Sequence, residues 1–107
     1  MDVVALANQG ISITPQDARA GELVKIMYNG LLSQNGADQV YLHMGYGDQW
    51  DKTHDLPMQR TINGWQRVIP LDVTGRMNFC FKDSANNWDN NYGSNWNVEV
   101  RASQFSR

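Results

Sequence analysis

The sequence is poor in helix-forming charged residues and in cysteine. Its 107 residues include only two Glu and three Lys, against eleven Asn and nine Asp. Glu and Lys favour helices, whereas Asn, Asp and Gly favour turns, so this composition argues against a mostly helical protein. The only cysteine, Cys80, cannot form an internal disulfide and cannot hold a structural zinc ion by itself.

Excess charge of one sign and long apolar runs are lacking as well. Nine basic residues against eleven acidic ones give a net charge of -2, so we expect no nucleic acid partner. No apolar run approaches the roughly 18 residues of a membrane span, and we expect no membrane partner. The short apolar stretch at 3–7 has no basic flank and is not a signal peptide as written. The length predicts a single domain over residues 1–107.

Several short segments carry apolar residues at every second position, the pattern of half-buried β-strands. Asn63-Gly64 lies between two of them and signals a hairpin. Seven such strands, about ten residues apart and without a convincing helical pattern, predict an all-β fold: an antiparallel β-sandwich, immunoglobulin-like. The tail at 102–107 loses the alternation and is expected to be a fraying end or the start of a linker. The predicted strands are 11–14, 22–28, 39–44, 58–62, 65–71, 77–81 and 96–100.

Two polar loops stand apart from this scaffold because they contain large aromatic rings. One covers 43–50, and the other, at 83–93, has Trp88 in its middle. An exposed ring among amide side chains suits sugar binding, because the C–H face of a pyranose lies against the ring while Asn, Gln and Asp pair with its hydroxyls. The alternative is that the rings fold onto the sandwich edge. Trp65 and Trp96 begin alternating strands, so we expect them in the core.

Calcium binding and catalysis are the rival functions for these loops. Oxygen ligands for an irregular calcium site are available from four side chains of the second loop, although Ser94 stands where the twelve-residue calcium loop needs Glu. A nucleophile elbow and nucleotide-binding glycine motifs are absent, and a small sandwich lacks the deep cleft that paired catalytic carboxylates need. We therefore expect no enzyme, no metal site and no cofactor. The four possible calcium ligands are Asp83, Asn87, Asp89 and Asn91.

The two loops and their flanking strands resemble a known protein family. The resemblance is carried by 40–46 together with Trp50, and by 79–83 followed by 87–96. These segments are similar to a carbohydrate-binding module, closest to family 25, with family 53 of starch synthases as a near relative. The similarity covers roughly residues 10–101, which we expect to be the domain core. It implies a non-catalytic β-sandwich that is appended to amylases and binds α-1,4-linked glucans.

The resemblance also implies roles for individual residues and partners. The aromatic platform would consist of His43, Trp50 and Trp88, with Asn90 bonding sugar hydroxyls and two further polar candidates, Gln49 and Asn91. The implied ligand is an α-glucan polysaccharide (starch or glycogen) or a malto-oligosaccharide. The implied covalent partner is a glycoside hydrolase in a parent protein, and we expect a monomer.

Two questions stay open at this point. The module is extracellular if it belongs to a secreted amylase, and cytoplasmic if this chain without a signal peptide is the complete protein. The alternative function is a protein-interaction sandwich of immunoglobulin type, with Trp50 and Trp88 as contact anchors.

Overall fold

The alternating segments of the sequence form the strands of the structure. The structure is a computed structural model that describes residues 4–6, 10–15, 19–71 and 74–102. For residues 4–6 it describes the backbone. It contains ten strands and a single helical turn in these ranges. In chain order the elements are β1 (Val4–Leu6), β2 (Ile11–Thr14), β3 (Leu23–Tyr28), α1 (Leu31–Gln34), β4 (Val40–Tyr46), β5 (Asp51–Pro57), β6 (Gln59–Thr61), β7 (Gly64–Pro70), β8 (Gly75–Asp83), β9 (Trp88–Asp89) and β10 (Trp96–Val100).

The strands form two five-stranded antiparallel sheets. Sheet 1 has the order β1-β2-β3-β7-β6. Sheet 2 has the order β10-β8-β4-β5, and β9 also pairs with β8. Strands of both sheets, such as β2, β3, β7 and β10, bury alternate side chains, and the two sheets share one apolar core between them. The predicted antiparallel β-sandwich is confirmed.

The residues that were predicted to point inward pack in the core between the two sheets. Tyr28 of sheet 1 stacks on Phe81 of sheet 2, with ring centroids 4.0 Å apart. Burying a large apolar side chain contributes about 1.5–3 kcal/mol, so contacts of this kind hold the sheets together. Trp65 and Trp96 are 4% and 6% exposed, which confirms their prediction as core residues.

The structure differs from the sequence predictions at the hairpin turn and in three strands that were not predicted, β1, β5 and β9. The hairpin turn consists of Ile62 and Asn63, since Thr61 pairs with Gly64 and β7 already begins at Gly64. A Cβ atom at Gly64 would lie 2.5 Å from the backbone oxygen of Tyr28, so the glycine serves the packing of β7 on β3. The strand β5 was not predicted, because its side chains are almost all exposed and leave no alternating apolar pattern.

The ends of the predicted domain are described only in part. Of the tail at 102–107, only Ala102 lies among the described residues, and its backbone oxygen accepts a hydrogen bond from Arg19. Within the described ranges, no helix is long and apolar enough to cross a membrane.

The outer edge of β8 is covered by two strand pieces with a loop between them. Asp89 of β9 lies opposite Phe81, and Trp96 of β10 lies opposite Phe79. Only Cys80 separates Phe81 from Phe79, whereas six residues separate Asp89 from Trp96. The segment 90–95, here called the 90–95 loop, is therefore looped out of an otherwise continuous edge.

Candidate functional site

The candidate site lies on the outward face of sheet 2, where side chains of four strands meet. His43 of β4 lies opposite Asp55 of β5 on one side. On β8, Cys80 is the residue opposite His43. Lys82, two residues further along β8, lies opposite Trp88 of β9. Val40, Leu42 and Met44 point into the core, so the strand alternation that builds the core also turns His43 outward.

Three aromatic rings cluster on this face. The rings of His43 and Trp50 are stacked, with centroids 5.5 Å apart and planes inclined by 29°. Trp88 meets His43 edge-on, with centroids 5.1 Å apart and planes inclined by 89°. The difference between these two inclinations sets a lower limit of about 60° on the angle between the two indole planes. The rings that the sequence analysis named as a platform are thus brought together, and their combined surface is angled rather than flat.

The position of Trp50 is fixed by the tight loop that follows β4. Its backbone crosses directly over Gly45, where a Cβ atom would lie 2.9 Å from the Trp50 oxygen. Trp50 has a φ of 53°, a left-handed conformation that is uncommon for a bulky residue. The buried amide of Asn78 anchors the loop by donating to the Gly47 oxygen at 2.8 Å, and the Trp50 N–H donates to that oxygen at 3.2 Å. The indole is half-buried and packs partly against the core. It therefore belongs to the outward face of sheet 2 and also covers part of the edge of the sandwich.

A carboxylate and an ammonium group hold His43 in place. Asp55 Oδ1 is hydrogen-bonded to His43 Nδ1, and Asp55 Oδ2 lies 2.8 Å from Lys82 Nζ. Partial burial tends to raise the pKa of Asp55, but the hydrogen bonds and charges of Lys82 and His43 outweigh it and hold that pKa below its usual range. With Nδ1 engaged, Nε2 is the ring nitrogen that can contact a ligand.

Asp55 and Lys82 were not predicted as residues of the binding site. Lys82 Nζ lies 5.3 Å from the centroid of the Trp88 ring, in the range of a cation–π contact. Lys82 follows the buried Phe81 in β8, so the alternation of the strand predicts that its side chain points outward. This alternation could have identified Lys82 as a residue of the outward face. Asp55 gave none, because it lies on the unpredicted strand β5.

The polar side chains predicted to surround the rings have mixed roles. Gln49 is exposed beside Trp50. Asn90 is exposed, and its Oδ1 accepts from the Gly93 N–H at 3.0 Å. Asn91 donates from Nδ2 to the Asn95 oxygen at 3.0 Å. The two asparagines therefore shape the 90–95 loop, and both line the surface next to Trp88.

The side chains proposed for an irregular calcium site are engaged elsewhere. Asp83 accepts hydrogen bonds from the backbone of Ala85 and from the backbone and side chain of Asn87, and these bonds lower the pKa of its carboxyl group. Asp89 Oδ2 instead accepts from the Tyr28 hydroxyl at 2.5 Å. Among the described residues, no group of three or more His, Cys, Asp or Glu side chains is arranged to hold a metal ion. The loop aspartates thus serve turns and core contacts.

Reactive chemistry has little support at this face. Cys80 lies in register with His43, but burial and the charges of Asp55 and Asp89 raise the pKa of its thiol to about 11. The thiol stays protonated at neutral pH, and a protonated thiol is a poor nucleophile. Cys80 is therefore not activated for nucleophilic attack.

Comparisons with known proteins agree with a binding module. The family model of a starch/carbohydrate-binding module, family 53, matches residues 24–79, which is more than half of the chain. The chain belongs to this family of non-catalytic modules. An alpha-amylase of Clostridium acetobutylicum is 36% identical to it over 93 residues, which are 84% of this chain and 12% of the amylase. No solved structure matches significantly.

The matched family region and the candidate site overlap in part. The region 24–79 contains His43, Gln49 and Trp50, whereas Trp88 and the 90–95 loop lie beyond it. The prediction of a starch-binding module is confirmed at the level of the class, with family 53 as the matching family. The closer assignment to family 25 stays a prediction.

Proposed function

We propose that the protein binds α-1,4-linked glucans, such as starch, glycogen and malto-oligosaccharides, on the outward face of sheet 2. His43, Trp50 and Trp88 supply the rings, and the observation that carries the proposal is the angle of at least about 60° between the two indole planes. An α-1,4-linked chain is curved, so its successive sugar rings present their C–H faces in different directions. Two inclined rings can each stack on one sugar, whereas a flat β-linked chain favours coplanar rings.

The polar groups beside the rings suit the sugar hydroxyls. Gln49 and Asn90 are exposed and can donate and accept hydrogen bonds, and Asn91 lies with Asn90 next to Trp88. His43 Nε2 adds a further contact, because Asp55 holds the opposite nitrogen. We assign these groups to the orientation of the sugar and the rings to most of the affinity.

The amylase relative supports a glucan ligand and a covalent partner. The chain spans only about 12% of that relative, which is named for its action on starch chains. We propose that the module is attached to a glycoside hydrolase and holds it near an insoluble polymer, raising the local concentration of substrate. The expected monomeric state and the closeness to family 25 remain part of the proposal.

Affinity electrophoresis tests the ligand class. Gels containing soluble starch or glycogen should retard the protein, and gels containing β-glucan or xylan should not. Trp88→Ala and His43→Ala should lose the retardation, whereas the control Ile62→Ala, at an exposed hairpin tip of sheet 1, should keep it. Excess EDTA should change nothing, because Asp83 and Asp89 are engaged in protein hydrogen bonds.

Other outcomes point to other functions. Equal retardation in all four gels would show that the angle between the rings does not select the ligand. Loss of binding in EDTA that calcium restores would identify the Asp and Asn loop as a metal site. The absence of retardation in every gel would leave the immunoglobulin-type interaction domain, with Trp50 and Trp88 as protein contacts.

A further inference from the structure

A cavity lies beside the ring face, between α1 and the 90–95 loop. Its volume is about 410 Å3, within the range of about 300–1,000 Å3 that small-molecule sites have. Trp88 lines this cavity and also contacts His43 on the ring face. The two surfaces are therefore neighbours that share one indole.

The walls of this cavity are tied to each other by the core. The Tyr28 hydroxyl donates to Asp89 Oδ2 at 2.5 Å, on the strand that enters the 90–95 loop. The same hydroxyl accepts from the backbone N–H of Leu32 in α1 at 3.0 Å. Tyr28 is itself fully buried, so both walls are anchored to one rigid group. A cavity held in this way is formed before any ligand arrives, which lowers the cost of binding.

The lining of the cavity combines exposed apolar groups with amides. Tyr92 is fully exposed and Leu31 is 52% exposed, although both are large apolar side chains. Gln34 and Asn29 add exposed amide groups on the helix side, and Asn90 and Asn91 line the cavity on the loop side next to Trp88. An exposed ring with amides around it is the same combination that we assign to sugar binding on the ring face.

The backbone of the 90–95 loop holds Tyr92 in solvent. Asn91 and Tyr92 both have left-handed φ values, 55° and 56°, a conformation that asparagine tolerates but that is uncommon for a bulky residue such as tyrosine. The loop is held in this form by the Asn90 backbone oxygen, which accepts from Gly93 at 3.1 Å and from Asn95 at 2.8 Å. Strained conformations that the surroundings maintain are concentrated at functional sites.

We propose that this cavity is a second contact region for the same α-glucan, where Tyr92 stacks on a sugar unit beyond those at the ring face and Gln34 bonds its hydroxyls. The proposal rests on the proposed function, because it extends the path of the same chain past Trp88. A short oligosaccharide fills the ring face alone. A longer one reaches the cavity, so affinity increases with chain length.

Titration calorimetry with maltotriose and maltoheptaose tests this assignment. The wild-type protein should bind maltoheptaose about tenfold more tightly than maltotriose, as expected for one additional stacked ring. Tyr92→Ala should remove this difference and leave the affinity for maltotriose unchanged, while Tyr92→Phe should retain the difference. Gln34→Ala should reduce it. Ile62→Ala, another exposed apolar residue, is the matched control and should behave like the wild type.

The remaining outcomes overturn the proposal in distinguishable ways. Unchanged affinities in Tyr92→Ala, or no length dependence in the wild type, would show that the cavity does not contact the chain. An equal loss for both sugars would place Tyr92 in the ring-face site or in the fold, and thermal unfolding would separate these two. If the wild-type protein does not bind maltotriose or maltoheptaose, the proposed function itself fails.

Discussion

Two pentapeptides of this protein have the same pattern, Tyr-Gly, two variable residues and Trp, but they bury opposite ends. In the first, Tyr46 is 6% exposed, and Trp50 lies half-buried at the surface. In the second, Tyr92 is fully exposed and Trp96 is 6% exposed. The local sequence is nearly the same, so the difference arises from where each pentapeptide meets a strand.

The strand frame decides which aromatic residue becomes part of the core. Tyr46 is the last residue of β4, whereas Trp96 is the first residue of β10. In each case the residue within the strand is buried and the residue in the loop is left to solvent. A ring remains accessible at the surface when it lies on the loop side of such a pentapeptide, as Trp50 and Tyr92 do.

The largest effect is expected from the buried tryptophan of the second pentapeptide. Trp96→Ala should lower the free energy of unfolding by about 3–5 kcal/mol, because it removes a large ring packed against Phe79 and Phe81. Urea unfolding measures this loss, with Tyr92→Ala as the exposed counterpart that should unfold like the wild type. If Trp96→Ala keeps its stability and loses starch binding instead, the roles of the two ends are reversed.

The surface tryptophan of the first pentapeptide should affect binding more than folding. Trp50→Ala should weaken starch binding about tenfold to a hundredfold, which corresponds to about 1–3 kcal/mol for one stacked ring. Affinity electrophoresis measures the loss, and thermal unfolding should show a smaller destabilisation than in Trp96→Ala. A variant that unfolds as readily as Trp96→Ala would show that Trp50 serves mainly the sandwich edge.

The anchor of the first loop should have an intermediate effect. Asn78→Ala removes the buried amide that donates to the Gly47 oxygen, so we expect a loss of about 1 kcal/mol in stability. Starch binding should weaken several-fold, since the loop that carries Trp50 loses its attachment. The control is Asn97→Ala, because Asn97 lies directly opposite on β10 and is exposed. Equal behaviour of the two variants would mean that the loop does not depend on Asn78.

The smallest effect is a pH dependence that arises beside the ring of His43. The folded-state pKa of Asp55 is lower than in the unfolded chain, so its ionised form stabilises the folded state above about pH 4. This contribution is lost as the pH falls through the folded-state value. Asp55→Asn should therefore be slightly less stable than the wild type at pH 7, and the two should converge in acid. Unfolding curves between pH 2 and pH 7 measure the gap; a gap that persists at the acid end would indicate a steric cause.

The fold was predictable because its core strands carry large apolar residues at every second position. The alternating apolar residues Val40, Leu42 and Met44 identify both the strand and its buried face. Trp96 begins a strand with the same alternation. The strand β5 was not predictable in this way, because an exposed edge strand has no apolar side to reveal. The sandwich was therefore within reach of the sequence, whereas its exposed edge was not.

The candidate site was predictable in its ring-bearing residues and less so in their arrangement. Trp50 and Trp88 are conspicuous among amide residues, and the family resemblance added His43. The Asp55–Lys82 contact depends on the register of β5, β4 and β8, which spacing along the chain does not encode. The angle between the indoles has the same origin, because Trp50 reaches the face from a loop and Trp88 from an edge strand.

The loop that carries Tyr92 also affects how this protein meets other copies of itself. An uncovered sheet edge presents unpaired backbone groups, and a long flat edge invites a neighbouring chain to add a strand and begin an aggregate. Along this edge the loop leaves pieces of only two and five residues, β9 and β10. The opposite edge, β5, carries the charges of Asp51, Lys52 and Asp55. The short pieces at one edge and the charges at the other thus disfavour strand pairing between sheet 2 of one copy and sheet 2 of another.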